Sequence, residues 1–276
     1  MADGLKLNLK EAILLKNTEG TFYEVKGKNS SGANFSWQSP IVFTVDTSLG
    51  TSVELDRLNK EATTTCNVDW GDGTIQTATQ GLVHTYASSS SVYDVKITGN
   101  GPFWVIVSSY DNVTKVKGYY GNRTDKMSSI RSTALTSIAK LPETITVMGA
   151  AFGIKPMNQS FIADIDTSNI VNMDSVFLLN STFNQDLSGW NISKVTTMGN
   201  MLDDTAMSPE NYSRTLIGWA NQHYAGNAQD NVNFTAYNIT YNSNVYTAGN
   251  QFNDGASARA YLVGTAGWTI SDGGQV

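Results

Sequence analysis

Two histidines and one cysteine are the residues of this chain most suited to acid–base, nucleophilic or thiolate chemistry. His84 lies in the segment His84-Thr85-Tyr86, where a turn or strand role is the simpler reading. His223 follows an apolar helical stretch with no evident carboxylate or cysteine beside it, so no triad is supported. Cys66 stands alone, which excludes an intrachain disulfide and a thiolate metal cluster. Asp69-X-X-Asp72 and Asp164-X-Asp166 could bring carboxylate oxygens together as calcium requires, yet neither follows the EF-hand loop. Asp72-Gly73 is accounted for as a tight hairpin turn, and Asp203-Asp204 as a solvated one. Carboxylate pairs for glycoside hydrolysis meet only in space, and nothing in the spacing favours one. There is no phosphate-binding glycine loop. The expectation is a chain that is not an enzyme, with no catalytic, cofactor-binding or metal-binding residues.

Surface recognition is the chemistry that remains. Trp37, Trp104, Tyr110, Tyr119, Tyr120, Tyr224, Tyr237, Tyr241 and Tyr246 lie in polar, Asn-rich stretches. Aromatic faces beside amide side chains suit sugar or protein binding, although the same rings also suit the filling of cores. Trp104, Tyr110, Tyr119, Tyr120, Tyr224, Tyr237, Tyr241 and Tyr246 are the candidate recognition surface.

Composition narrows the partners. Only 15% of residues are charged, against roughly 25% in ordinary soluble domains, so the surface is made polar by Asn, Ser, Thr and Gly. A net charge of −6 with no basic run argues against nucleic acid. No stretch approaches the ~18 apolar residues of a spanning helix. The start, Met1-Ala2-Asp3-Gly4-Leu5-Lys6, lacks the pattern of a signal peptide, though a mature form would lack it too. Sequons such as Asn29, Asn112, Asn180 and Asn238 read as a consequence of composition.

Three regions would position these residues. Residues 1–37 alternate at Leu5–Lys10 and again at Thr21–Val25, which predicts a β arm or linker, with Lys26–Ala33 as a loop. Residues 38–100 contain short β-rich runs at Ile41–Val45, Cys66–Trp70, Thr74–Thr77 and Ser91–Ile97, separated by turn signals, which predicts an antiparallel sandwich. Residues 101–276 carry an internal repeat. Ile145, Ile170 and Val195 are 25 apart, and so are Met148, Met173 and Met198 and the trio Phe152, Phe177 and Leu202. Ala151, Val176 and Met201 accompany them. Stacked apolar columns of this kind form a solenoid core, so the methionines are core and not ligands. Ser208-Pro209 starts a helix expected to cap the array, Asp254–Val263 a second helix, and Trp268-Thr269-Ile270 a last strand.

Two resemblances attach to these motifs. Val68-Asp69-Trp70-Gly71-Asp72-Gly73-Thr74, then His84-Thr85-Tyr86, then Val92–Ile97, resembles the polycystic-kidney-disease-type immunoglobulin-like domain. Members of that family are spacers or binding modules. Phe183-Asn184-Gln185-Asp186-Leu187-Ser188-Gly189-Trp190-Asn191-Ile192-Ser193-Lys194-Val195-Thr196-Thr197-Met198 resembles the BspA-like leucine-rich surface-protein repeat. Asn191 and Leu202 depart from that repeat's usual Asp and Phe, which suggests a decayed array with few repeats.

Together these imply a mainly β chain: an immunoglobulin-like sandwich followed by a short leucine-rich-repeat-like solenoid with a helical cap. The resemblances imply a bacteriophage virion surface protein, such as a capsid decoration, head fibre or tail-associated host-binding component. Its partners would be other virion proteins and a host-surface glycan or protein, with self-assembly into a homo-oligomer. The alternatives are a secreted bacterial surface adhesin and a carbohydrate-binding accessory module of an enzyme.

Overall fold

The computed structural model describes residues 26–28, 34–36, 41–60, 62–100, 103–109, 111–119, 126–127, 129–141, 143–154, 156–245, 249 and 251–276. The strands expected at Leu5–Lys10 and Thr21–Val25 lie outside these residues. The loop expected over Lys26–Ala33 opens instead on a strand, β1 (Lys26–Lys28), paired antiparallel with β2 (Asn34–Ser36).

Alternating apolar residues build the next elements. These are β3 (Ile41–Asp46), β4 (Ser52–Lys60), β5 (Cys66–Asp69), β6 (Ile75–Thr77), β7 (Leu82–Thr85), β8 (Val92–Gly99), β9 (Phe103–Ser109) and β10 (Val113–Tyr119). Val53 and Leu55 of β4, Cys66 and Val68 of β5, and Val95 and Ile97 of β8 point into one core. Their in-between neighbours are less buried, as a period of two requires. β3 is buried along five consecutive residues because it lies inside its sheet, between β10 and β8.

Two short strands follow, β11 (Ser129–Arg131) and β12 (Ser137–Ile138). They complete a six-stranded sheet ordered β12-β10-β3-β8-β5-β6 and a four-stranded one ordered β11-β9-β4-β7. β9 and β10 therefore belong to the same sheets as the strands before residue 100, and the domain boundary expected there falls inside paired strands. β4 and β9 pair from Val53↔Ser109 to Lys60↔Phe103, which makes this chain reversal a structural part of the sheet. β11 and β12 join in parallel, and with them the chain changes its habit.

From there the backbone winds in stacked turns. Lys126 bridges Val147, Val147 bridges Asn172, and Asn172 bridges Thr197, all in parallel. Thr197 opens β13 (Thr197–Met198), which pairs with β14 (Asn233–Ala236), and that strand pairs with β15 (Thr269–Asp272). Six rungs thus run in register from Lys126 to Thr269. The columns expected at 25-residue spacing are all buried: Ile145, Ile170 and Val195; Met148, Met173 and Met198; Phe152, Phe177 and Leu202.

The last two turns are longer, 36 residues from Thr197 to Asn233 and again to Thr269, because each contains a helix. α1 (Pro209–Tyr224) starts as expected, with Ser208 Oγ accepting from Asn211 N–H at 3.3 Å and Pro209 at the first position. α2 (Gly255–Gly264) is capped by Asp254, whose Oδ1 accepts from Ser257 N–H at 2.8 Å. The sequence led us to expect α1 to cap the stack, but it does not end it. It is the outer part of a turn whose next strand, β14, continues the ladder.

Each 25-residue turn bends at the same two places. Ala150, Ser175 and Asn200 have φ of 57°, 60° and 53°, and Ile154, Leu179 and Asp204 have 73°, 60° and 55°. The tight corner needs left-handed backbone there whichever residue supplies it. Side chains then tie turn to turn. Asn180 is fully buried and donates Nδ2–H to Phe152 O and Met157 O while accepting from Met157 N–H. The indole N–H groups of Trp190 and Trp219 donate to Ile162 O and Leu187 O. Asp166 and Asn191, one turn apart, each accept from the N–H two residues on, so Asn replaces Asp in this role without loss.

Candidate functional site: the helical turns and their surface

Helix α1 is set by its buried face. Tyr212, Leu216 and Trp219 are closed to solvent, and Gly218 comes so near Ser188 that an added Cβ would sit 2.6 Å from its carbonyl oxygen. Glycine is needed at that contact. Gln222 then fastens the helix end, donating to Ser188 O and Trp190 O and accepting from Ile192 N–H. The strip left between helix and underlying turn is an open groove of about 550 Å³, lined among others by Asp186, Gly189, Arg214, Ile217, Asn221 and Asn227.

An aromatic surface adjoins the C-terminal end of α1. Tyr224 is 58% exposed and meets Phe252 and Tyr261 edge-on at 5.8 and 6.1 Å between ring centres. Phe252 lies 4.2 Å from Tyr261. Asn221 fixes the loop that carries Phe252 with both halves of its amide, donating to Phe252 O and accepting from Gln251 and Phe252 N–H.

His223 departs from expectation. No carboxylate was evident beside it in the sequence, yet Asp230 Oδ1 is 2.8 Å from its Nε2 and the Tyr261 hydroxyl 3.0 Å from its Nδ1. Asp230 sits in the loop after α1, seven residues on, and the left-handed Gly226 turns the chain back to place it. The arrangement orders Tyr–His–Asp, but Asp230 is 69% exposed and the hydroxyl is spent on the imidazole. Its evident effect is to fix α2 against α1.

The other aromatic candidates are dispersed. Tyr237 is 61% exposed, held by its N–H donating to Asp203 Oδ1. Tyr241 lies under the Arg259 guanidinium at 5.5 Å. Trp104 is on β9 with the Lys126 ammonium 5.9 Å from its ring centre. Tyr119 closes β10, with its backbone opposite Ile41. Tyr110, Tyr120 and Tyr246 lie outside the described residues, as does Trp37. Among the described residues no ring contact joins Trp104, Tyr224, Tyr237 and Tyr241 to one another; Tyr224 gathers Phe252 and Tyr261 instead. Those two partners were not singled out from sequence, since only the fold brings α2 beside α1.

Ionic chemistry near the last strand is structural. Asp272, with a side chain 1% exposed, receives Arg259 Nε–H at 2.8 Å, Arg259 Nη2–H at 3.0 Å and the Tyr212 hydroxyl at 2.9 Å. Burial, with Asp272 beside it, raises the Tyr212 hydroxyl well above its ordinary range.

The Asp72 hairpin is likewise built for packing. Asp69↔Ile75 is the last pair, so the loop spans Trp70–Thr74 and is wider than the two-residue turn expected. Gly71 and Gly73 supply φ of 81° and 94°. Asp72 Oδ1 accepts from Thr74 N–H and its Oδ2 meets His84 Nε2 at 2.8 Å. Burial opposes its charge, but these hydrogen bonds hold its carboxyl below the ordinary value. Trp70 stacks on His84, His84 meets Tyr86 edge-on, and Tyr86 stacks on Tyr93, at 4.4–4.6 Å. His84 thus has the structural role expected of it. Burial pushes the Cys66 thiol up, despite Lys60 nearby, and keeps it protonated.

Among the described residues no group of three or more His, Cys, Asp or Glu could hold a metal ion, and no helix is long and apolar enough to cross a membrane. No curated protein and no solved structure matches the chain. Residues 125–222, which take in the 25-residue turns and most of α1, match the model of a family described as Mycoplasma protein of unknown function, DUF285.

Proposed function

We propose that the chain is a non-catalytic recognition protein of a bacteriophage virion surface, present in several copies. In this reading an immunoglobulin-like sandwich docks on the particle, and a leucine-rich-repeat-like solenoid presents its helical end outward to a host glycan or protein. The observation that carries it is the six-rung ladder that follows the sheets along the chain, with the exposed Tyr224 surface on its helical turns. Among the described residues, three polar clusters are spent on packing: His84 with Asp72, His223 with Asp230, Arg259 with Asp272. That distribution favours binding over turnover.

A secreted bacterial surface adhesin is the second reading, favoured by the match of residues 125–222 to a family described from a bacterium. Mass spectrometry of density-purified virions and of host culture fractions separates the two. Stoichiometric recovery with particles is the expected result. Recovery only in the supernatant or on the host envelope would sink the virion reading.

A further inference from the structure

We propose that the groove between α1 and the Asp186–Gly189 segment binds an uncharged saccharide of one or two units, which deepens, and rests on, the recognition reading above. Gly189 is the first observation. A side chain there would meet no atom within 4 Å, and its backbone is not left-handed. Neither close packing nor conformation therefore calls for glycine. What its missing side chain does is leave the groove mouth open. Gly218 in the opposite wall is the contrast, since it is packed tightly against Ser188.

Unused polar atoms are the second observation. Asp186 Oδ1 accepts from Ser188 N–H at 2.8 Å, which orients the carboxylate and leaves Oδ2 without a hydrogen bond among the described residues. Arg214 gives Nε–H and Nη2–H to Glu210 Oε1, leaving Nη1 likewise unengaged. Asp186 and Arg214 line the same groove, yet Arg214 is paired with Glu210 and not with Asp186. The Asn221 and Gln222 amides are meanwhile committed to backbone partners, so the wall is already ordered and little entropy is lost on binding.

These groups select a ligand class. An anion would meet Asp186, and a cation would meet Arg214. Neighbouring sugar hydroxyls donate to the one and accept from the other, and bonds to charged partners are the stronger kind. A volume of 550 Å³ falls within the usual range of small-ligand sites. Asn221 belongs both to the groove and to the Phe252 anchor, so a longer glycan would continue onto Tyr224.

The test is saturation-transfer NMR and calorimetry on the whole chain. The probes are maltose, cellobiose, lactose and chitobiose, with inorganic phosphate and glutamate as charged comparators. At least one disaccharide is expected to bind while neither charged probe does. Asp186→Ala should weaken it by roughly tenfold or more, the scale of one lost charge-assisted hydrogen bond. Gly189→Leu should abolish it while leaving the melting temperature unchanged, because its side chain projects into open space. Leu49→Ala, far off in the β3–β4 turn, should bind as the parent does. Absence of binding by all four sugars, preference for a charged probe, or binding undiminished by Gly189→Leu would overturn the proposal. Virion recovery, which tests the wider reading, is independent of all three.

Discussion

Ile154 is the residue least suited to its place. Its φ of 73° is left-handed, a conformation that costs a β-branched residue about 1–2 kcal/mol, and its side chain is 60% exposed, so packing returns little. Ile154→Asn should raise stability by about 1 kcal/mol, read as a higher urea midpoint at unchanged slope; a lower midpoint would refute the strain account. Asp272 is the opposite case. Asp272→Ala removes the counter-charge of Arg259 and the acceptor of Tyr212 in a nearly closed site, and should cost about 3 kcal/mol. A loss under 1 kcal/mol in denaturant titration would show that water reaches the site freely. Neither site was visible in the sequence. Left-handed corners announce themselves when glycine fills them, and here Ala150, Ser175, Asn200, Ile154, Leu179 and Asp204 do.

The elements were legible where one period persisted. Apolar columns at 25-residue spacing predicted the turns and their core, because each column is the same point of a repeated loop. β14 and β15 were hidden as rungs of that ladder because their turns contain helices, and a chain compared with itself at 25 residues cannot find neighbours at 36. The boundary expected at residue 100 misled for a related reason: it follows the local run that ends at Ile97, whereas the pairing of β9 with β4 is long-range. The recognition surface was read one residue at a time from aromatic type. Tyr224 joined Phe252 and Tyr261 through the α1–α2 packing, which local spacing does not encode. The groove was missed altogether, since its opposed walls at Asp186 and Arg214 are 28 positions apart.

For the molecule as a whole, titration should leave a broad plateau of stability. Ser168 hydrogen bonds hold the Asp166 carboxyl below its ordinary 3.8. Burial works against charge at Asp94 and Asp72, but Lys117 and Thr44 at the first, and Thr74 and His84 at the second, lower both. Carboxyls lowered by folding contribute stability above 3.8 and lose it as pH falls through their folded values. The Cys66 thiol, raised by burial above its ordinary 9, contributes below pH 9, and Tyr86 and Tyr212, raised by burial above their ordinary 10, contribute below pH 10; each contribution is lost as pH rises. The melting temperature should therefore be level between these limits and fall on both sides. A maximum confined to pH 5, or a continued rise above pH 10, would contradict that assignment.

The register of the ladder has a mechanical side. Its rungs, from Lys126 to Thr269, lie across the direction in which the turns are stacked, and the hydrogen bonds between them run along it. Tension along the stack therefore stretches these hydrogen bonds lengthwise, while opposed tension along neighbouring strands loads them in shear. At the far end, Thr269 N–H bonds inward to Val232 O, and the outward carbonyl of Ile270 accepts from Arg259 Nη2–H. A side chain from α2 thus covers the outermost rung, and because Arg259 and Asp272 both lie in the last turn, that turn can part from β14 with its ion pair intact. A tether drawn along the stack would thus load the bonds between turns and leave Arg259 unstrained.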